Sequence, residues 1–203
     1  MTIYHWFCKL SDAGIFSALW EISLRNLFEY NKLHLQHQSI DSAHHKAPSG
    51  GDKTGKSPVD RRKLGTKIVV QVDQQGTPLG LSIAASNRND QQLLRATFME
   101  TIQRIKRQSD FQFLHADKGL DASQNKRFLM QRFGIRQISP PRHYKKQKNI
   151  PVEFVKDRFR WVAERTFSWI NRFRRVFILY ERKAIRYESF IQLACQMICF
   201  AKL

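Results

Sequence analysis

The chain is short of cysteine, of acid and of long apolar runs, and each shortage excludes something. Among 203 residues there are three cysteines, Cys8, Cys195 and Cys199. An odd count without a Cys-x-x-Cys pair argues against a disulfide framework and against a zinc ribbon. Cys195 and Cys199 stand four apart in an apolar stretch, the spacing of buried helix residues. No stretch reaches the ~18 consecutive apolar residues that a membrane span needs. The longest, Phe190 to Leu203, is interrupted by Gln192, Gln196 and Lys202. Met1 to Leu10 lacks the basic segment and apolar core of a secretory leader, so a cytoplasmic protein is expected.

Acid is the shortage that bears on function. Seventeen Asp and Glu face 35 Lys and Arg, a formal charge of +18. Such an excess repels itself in a folded chain and calls for a polyanionic partner. Phosphate backbone is the commonest polyanion, so nucleic acid is the expected partner. A basic ribosomal or membrane-surface protein is the other class that charge alone allows. Apolar residues make up 42%, with fifteen Phe and four Trp, which is material for a packed core and unlike a disordered chain. The length suits one catalytic domain with a short appendage.

Residues 3–33 read as two short helices, with Trp6, Phe7, Leu10, Ile15, Leu19, Trp20, Ile22, Leu24 and Leu27 mostly at helical spacing and a break at Asp12-Ala13-Gly14. An extended stretch follows from Leu33 to Asp41. Residues 47–66 are small, polar and glycine-rich, and are expected to be a mobile loop. Gly51 to Ser57 is one residue short of a phosphate-binding P-loop, which argues against that motif. Residues 67–73 and 77–84 form a hairpin around Gln74-Gln75-Gly76. Then come a helix over 90–107, a strand over 111–116, a helix over 123–133 ended by Gly134, and a strand over 135–139 stopped by Pro140-Pro141. A basic loop over 142–148 leads to one long helix, 151–177. This order predicts a mixed α/β fold with its sheet covered by helices.

Three acids stand out within that frame. Asp41 and Asp117 each follow a predicted strand, where side chains project into the crevice that binds ligands in α/β sheets. Two carboxylates side by side need a cation, and Mg²⁺ suits phosphate chemistry. Taken singly, each Asp is better explained as a turn or cap residue. On the long helix, Val155, Phe159, Val162, Trp169, Phe173 and Phe177 form an apolar stripe. Glu164 falls opposite it, with Asp157, Arg160, Ser168, Asn171 and Arg175. That face is either a site where metal and phosphate meet or a solvated surface with an Arg160–Glu164 pair, and periodicity does not choose.

The local words do choose. Ile40-Asp41-Ser42-Ala43-His44-His45-Lys46, Gly50-Gly51 through Lys67, Asp73 through Gly80, and Ala116-Asp117-Lys118-Gly119-Leu120-Asp121 follow in order. Arg160-Trp161-Val162-Ala163-Glu164-Arg165-Thr166-Phe167-Ser168-Trp169-Ile170-Asn171-Arg172-Phe173-Arg174-Arg175 comes next, then Tyr180-Glu181-Arg182. Together these resemble the DDE transposases of bacterial insertion sequences, over nearly the whole chain. The resemblance implies a ribonuclease-H-like mixed sheet flanked by helices, with a helical remnant of the N-terminal region over 1–33 and the catalytic domain over 34–203. The upstream part of such proteins is expected to be lacking here.

The resemblance also implies a DNA transposase that cleaves strands and transfers them by direct displacement at phosphorus. Asp41, Asp117 and Glu164 would be the catalytic metal ligands for two Mg²⁺ ions, with Mn²⁺ as a substitute. Lys118, Arg160, Arg165, Asn171, Arg172, Arg174 and Arg175 are the candidate DNA contacts. Asn171 stands where relatives carry a basic residue, and Leu120 where Tyr is common. Trp161 is a candidate for packing or for stacking on a base. The expected partners are transposon ends and target DNA, a second copy on DNA, and an upstream reading-frame product. A nuclease of the same fold and a non-catalytic DNA-binding remnant are the competing functions.

Overall fold

The computed structural model describes residues 2–104, 112–139 and 159–203. Its centre is a sheet whose main strands are β1 (His37–Lys46), β3 (Leu64–Val72), β4 (Pro78–Ala85), β5 (Gln112–Ala116) and β6 (Ile135–Ile138). Their order across the sheet is β4-β3-β1-β5-β6. β4, β3 and β1 run antiparallel, while β1, β5 and β6 run parallel. The two-residue β2 (Gly55–Lys56) pairs only with the start of β3. β3 is buried from Gly65 to Val72, as its run of β-branched residues requires of a strand covered on both faces.

Alternation along the strands divides the core in two. Ile68, Val70 and Val72 of β3 face one side, where α2 (Ile15–Glu29), α5 (Arg160–Ile170), α6 (Arg174–Phe177) and α7 (Ala184–Phe200) supply Trp20, Leu24, Val162, Val176 and Ile191. Val69 and Ile40 face the other, with α3 (Asp90–Arg104) and α4 (Ser123–Phe133) supplying Leu94, Phe98 and Leu129. The fold is thus the expected mixed α/β sheet flanked by helices. α1 (Ile3–Asp12) and α2 meet at the expected break, and Gly14 there has φ +69°. α1 packs on α7 through Phe7, whose ring lies 4.1 Å from that of Phe190, and through a 2.7 Å Ser11–Ser189 hydroxyl contact.

Three sequence expectations change. β1 does not end at Asp41 but continues to Lys46, because β3 pairs with it residue for residue from Ser39↔Val72 to Lys46↔Gly65. The loop after β1 is anchored: the Asp52 amide donates to the Arg182 carbonyl at 2.8 Å, and Asp52 Oδ2 accepts the Ala184 amide at 3.3 Å at the start of α7. The long helix is broken, since α5 stops at Ile170 and Phe173 adopts an extended ψ of 107° before α6. Burial of Val176 and Leu179 in the core outweighs the helical periodicity. The expected basic loop, residues 105–107 of the predicted helix and residues 151–158 lie outside the described residues.

Candidate catalytic site

Asp41 and Asp117 reach the same place through strand pairing. The parallel register of β1 and β5 runs from His37↔Phe113 to Ile40↔Ala116, so Asp41 and Asp117 are the next residues on neighbouring strands. Ile40 and Ala116 point into the α3–α4 side. Alternation therefore sends Asp41, and Asp117 in its extended backbone, to the opposite side, where α5 packs. The residues two and four places before them agree. Ser39 Oγ donates to the Phe159 carbonyl at 2.5 Å, and the His37 ring stacks on Phe159 at 4.2 Å. Asp41 Oδ1 also accepts the Ser42 amide at 2.8 Å.

Behind this pair, Asp90 at the start of α3 binds Lys67 Nζ at 2.5 Å. A Cβ on Gly119 would lie 3.4 Å from Asp90 Oδ2, so α3 abuts the turn that carries Asp117 and Lys118. Sequence reasoning missed the neighbouring imidazole pair: His37 Nδ1 and His115 Nε2 share a 3.0 Å hydrogen bond. The signal was there in principle, since His37 and His115 stand at even spacing before Asp41 and Asp117. It becomes legible only once the strands are paired.

Glu164 is placed differently. Its helix buries Val162, Ala163, Thr166, Phe167 and Ile170. Glu164 lies on the outward face, exposed, with Trp161 and Ser168. α5 begins over Ser39, and Thr166 Oγ1 then donates to the Gly76 carbonyl at 3.0 Å. The helix thus runs toward the β3–β4 turn, in the direction away from Asp41. Asp41 and Asp117, one place beyond paired residues of neighbouring strands, offer the oxygen donors that a hard divalent ion prefers. Among the described residues, however, no group of three or more His, Cys, Asp or Glu is gathered to hold a metal.

The candidate DNA contacts divide. Arg172 and Arg174 are exposed, and Lys118 stands half-buried in the turn after Asp117. Arg175 donates to Glu181 at 3.0 Å, and Glu181 accepts Tyr4 at 2.6 Å, which ties α1 to the segment between α5 and α7. That phenol's pKa is pushed well above its usual value by the hydrogen bond to the Glu181 carboxylate. Arg165 lies between Trp161 and Trp169, at 4.6 and 5.0 Å from their rings, and donates to the Gln75 carbonyl at 2.9 Å. Lys202 joins it at the Gln75 carbonyl, at 2.9 Å. Asn171 is half-buried. The side chain of Arg160 lies outside the described residues.

A family model described as "Transposase DDE domain" matches residues 33–198. A Burkholderia cepacia protein named as the transposase for insertion sequence element IS402 is 34% identical over 157 residues, covering 74% of this chain and 70% of that one. Among solved structures, a piggyBac transposase synaptic complex with hairpin DNA is similar with a TM-score of 0.48 and 10% identity. The similarity covers 83% of this chain and 47% of that one. The catalytic domain of Mos1 mariner transposase is similar with a TM-score of 0.35 and 14% identity, over 92% of this chain and 90% of that one. Among the described residues no helix is long and apolar enough to cross a membrane. The sequence match, over most of the chain, carries the assignment: the chain belongs to the transposase DDE domain family.

Proposed function

We propose that this chain is the catalytic part of an insertion-sequence transposase that cuts DNA at an element's end and joins the freed 3′-hydroxyl to target DNA. The observation that carries the reading is that Asp41 and Asp117 directly follow Ile40 and Ala116, which are paired on neighbouring parallel strands, within a chain of this family. Asp41 and Asp117 are the proposed core of the metal site, with Glu164 as the third ligand that the family's motif implies. Divalent metal, Mg²⁺ or Mn²⁺ and two ions in the full site, would supply Lewis-acid activation and charge neutralisation at phosphorus.

The chain's own part is positioning and charge. Lys118, Arg172 and Arg174 hold backbone phosphate, the term on which phosphoryl transfer chiefly depends. Arg165 and Arg175 act one step back. The first fixes α5 to the β3–β4 turn, and the second fixes the segment after α5 to α1. Transposon ends and target DNA are the proposed substrates. A second copy on DNA and an upstream reading-frame product are the proposed protein partners, and the nucleoid is the place of action.

The test is a nicking assay on supercoiled DNA with Mg²⁺, followed by strand transfer from a precut end. Asp117→Ala is expected to lower nicking on the order of 10³-fold while leaving the circular dichroism spectrum unchanged. Glu164→Gln separates the third ligand from the pair, and an undiminished rate removes Glu164 from the site. Cleavage without joined product points to a nuclease. No metal-dependent cleavage by the wild-type chain points to a DNA-binding remnant.

A further inference from the structure

The loop between β1 and β3 ends in a tight turn, residues 57–63, that carries charge outward on a strained backbone. Arg61 and Arg62 follow one another with φ of +47° and +59°, the left-handed region that residues with a Cβ rarely enter. Such strain persists only where the surroundings fix it, and it gathers where ligands are clamped. Here the fixing groups are plain. The Ser57 amide donates to the Lys63 carbonyl at 2.8 Å, and the Ser57 carbonyl accepts the Arg62 amide at 3.1 Å. The hydroxyl oxygen of buried Ser57 accepts the amides of Val59 and Asp60, at 3.4 and 3.2 Å. Just before the turn, Gly55 and Lys56 pair with Gly65 and Leu64, which ties its base into the sheet.

The charge on this turn is unmet. Lys56, Arg61, Arg62 and Lys63 are exposed, and Asp60 is the one acid in residues 56–63. Elsewhere the fold sets bases against acids: Lys53 on Glu188, Lys67 on Asp90, Lys126 on Asp121, Arg186 on Asp12. The four bases of the turn have no ion-pair partner among the described residues. Four like charges on a fixed backbone repel one another until a polyanion meets them. Placement says which polyanion. β1 runs past its last pair with β5, Ile40↔Ala116, to Lys46, which pairs with Gly65 at the start of β3. The turn lies beyond that point, so it stands toward the same end of the sheet as Asp41 and Asp117. From Asp41 to Lys46 the strand advances ~16 Å. On one DNA strand that distance is about five nucleotides, at ~3.4 Å each.

We propose that the 57–63 turn, through Arg61 and Arg62 with Lys56 and Lys63 beside them, grips the phosphate backbone of the duplex on which Asp41 and Asp117 act, about five nucleotides from the phosphorus under attack. The contact positions the duplex and reads no base. Holding the backbone of the turn in place beforehand spares the ordering of a loop on binding. The assignment rests on the proposed function for the identity of the duplex; the strained, unpaired arginines stand apart from it.

The experiment is fluorescence anisotropy of the full chain on a labelled mixed-sequence duplex of about 30 base pairs, across a salt series. Arg61→Gly/Arg62→Gly removes both charges and relieves the strain, so its melting temperature is expected to hold. Its log–log salt slope is expected to fall by about two, and its affinity on the order of 10- to 100-fold near 0.1 M salt. Arg61→Asn/Arg62→Asn, which also tolerates the left-handed backbone, is expected to match it; agreement excludes a loosened loop as the cause. Arg61→Lys/Arg62→Lys keeps both charges and is expected to keep the slope. Arg127→Ala/Arg132→Ala takes the same charge from exposed positions on α4 and is expected to leave the slope unchanged. An unaltered slope in the glycine pair overturns the proposal. An equal fall in the α4 pair also overturns it, because total charge then acts and not this turn. Nicking with Mg²⁺ is read in parallel. A wild type that cuts, beside a glycine pair of unaltered slope, sinks this surface and leaves the catalytic reading standing. A wild type that never cuts, beside a glycine pair of reduced slope, does the reverse.

Discussion

A Cβ at position 80 would lie 1.9 Å from Thr101 Oγ1 and 2.9 Å from the Thr97 carbonyl oxygen. Glycine there lets α3 close on β4, and Thr101 is not free to turn aside, because its hydroxyl bonds Gln71 Oε1 at 2.9 Å. Gly80→Ala is expected to cost roughly 1–3 kcal/mol by overpacking, read as a lower midpoint in urea unfolding with an unchanged slope. His45 makes a second residue-scale case. It is buried, with Nδ1 at 2.8 Å from the Val176 carbonyl and 2.8 Å from Tyr187 Oη. Burial holds its pKa below the ordinary 6.5, so the folded chain favours the neutral ring. The unfolded chain takes up the proton first. Stability is therefore complete above pH 6.5 and declines as the pH falls toward the lowered folded value. Thermal melts at pH 7.5 and 5.5 are expected to differ more for the wild type than for His45→Gln.

Among the elements, the loop between β1 and β3 departs furthest from its sequence reading. Composition alone calls it mobile, since Ala47 through Lys56 is small, polar and rich in glycine. In the fold it is pinned to the start of α7. Gly51 has φ +125°, and a Cβ there would lie 2.5 Å from the Arg182 carbonyl oxygen and 2.7 Å from Arg182 Cα. Neither contact is with a side chain that could swing away. Gly51→Ala is expected to detach the loop and make Lys53, Lys56, Arg61 and Arg62 faster targets for trypsin, on a gel time course with the wild type beside it. Unchanged cleavage would mean that Asp52 alone holds the loop. The break after α5 is a related case. Its apolar spacing reads as one helix, yet Phe173 turns so that Val176 is buried and the Leu179 amide donates to the Lys46 carbonyl at 2.8 Å.

At the scale of the whole molecule, charge is the dominant fact. A +18 chain that neutralises about six DNA phosphates loses affinity by about 10³-fold between 50 and 200 mM salt, because each contact releases a condensed counterion. Fluorescence anisotropy on a short duplex measures that slope. Residues 3–29 carry two bases, Lys9 and Arg25, against three acids, so Trp6→Glu/Leu19→Glu on these helices is expected to leave the slope per chain unchanged. A flattened slope would instead place those helices on the DNA.

The sequence by itself determined the order of strands and helices along most of the chain, and the family. Those rest on local signals: the β-rich segments on either side of Gln74-Gln75-Gly76, the Gly14 and Gly134 breaks, and the ordered words around Asp41, Asp117 and Glu164. It also made Asp41 and Asp117 candidates, although each alone reads better as a turn residue. Only the tertiary structure decided that they are neighbours, because parallel pairing of β1 with β5 joins residues more than seventy places apart, and no local signal encodes a register over that distance. The same long-range packing put Glu164 on the outward face of α5, spent Arg175 on Glu181, and fixed Arg165 between two tryptophans. A helix's periodicity says which residues share a face, but where that face points is set by whatever the rest of the chain packs against it.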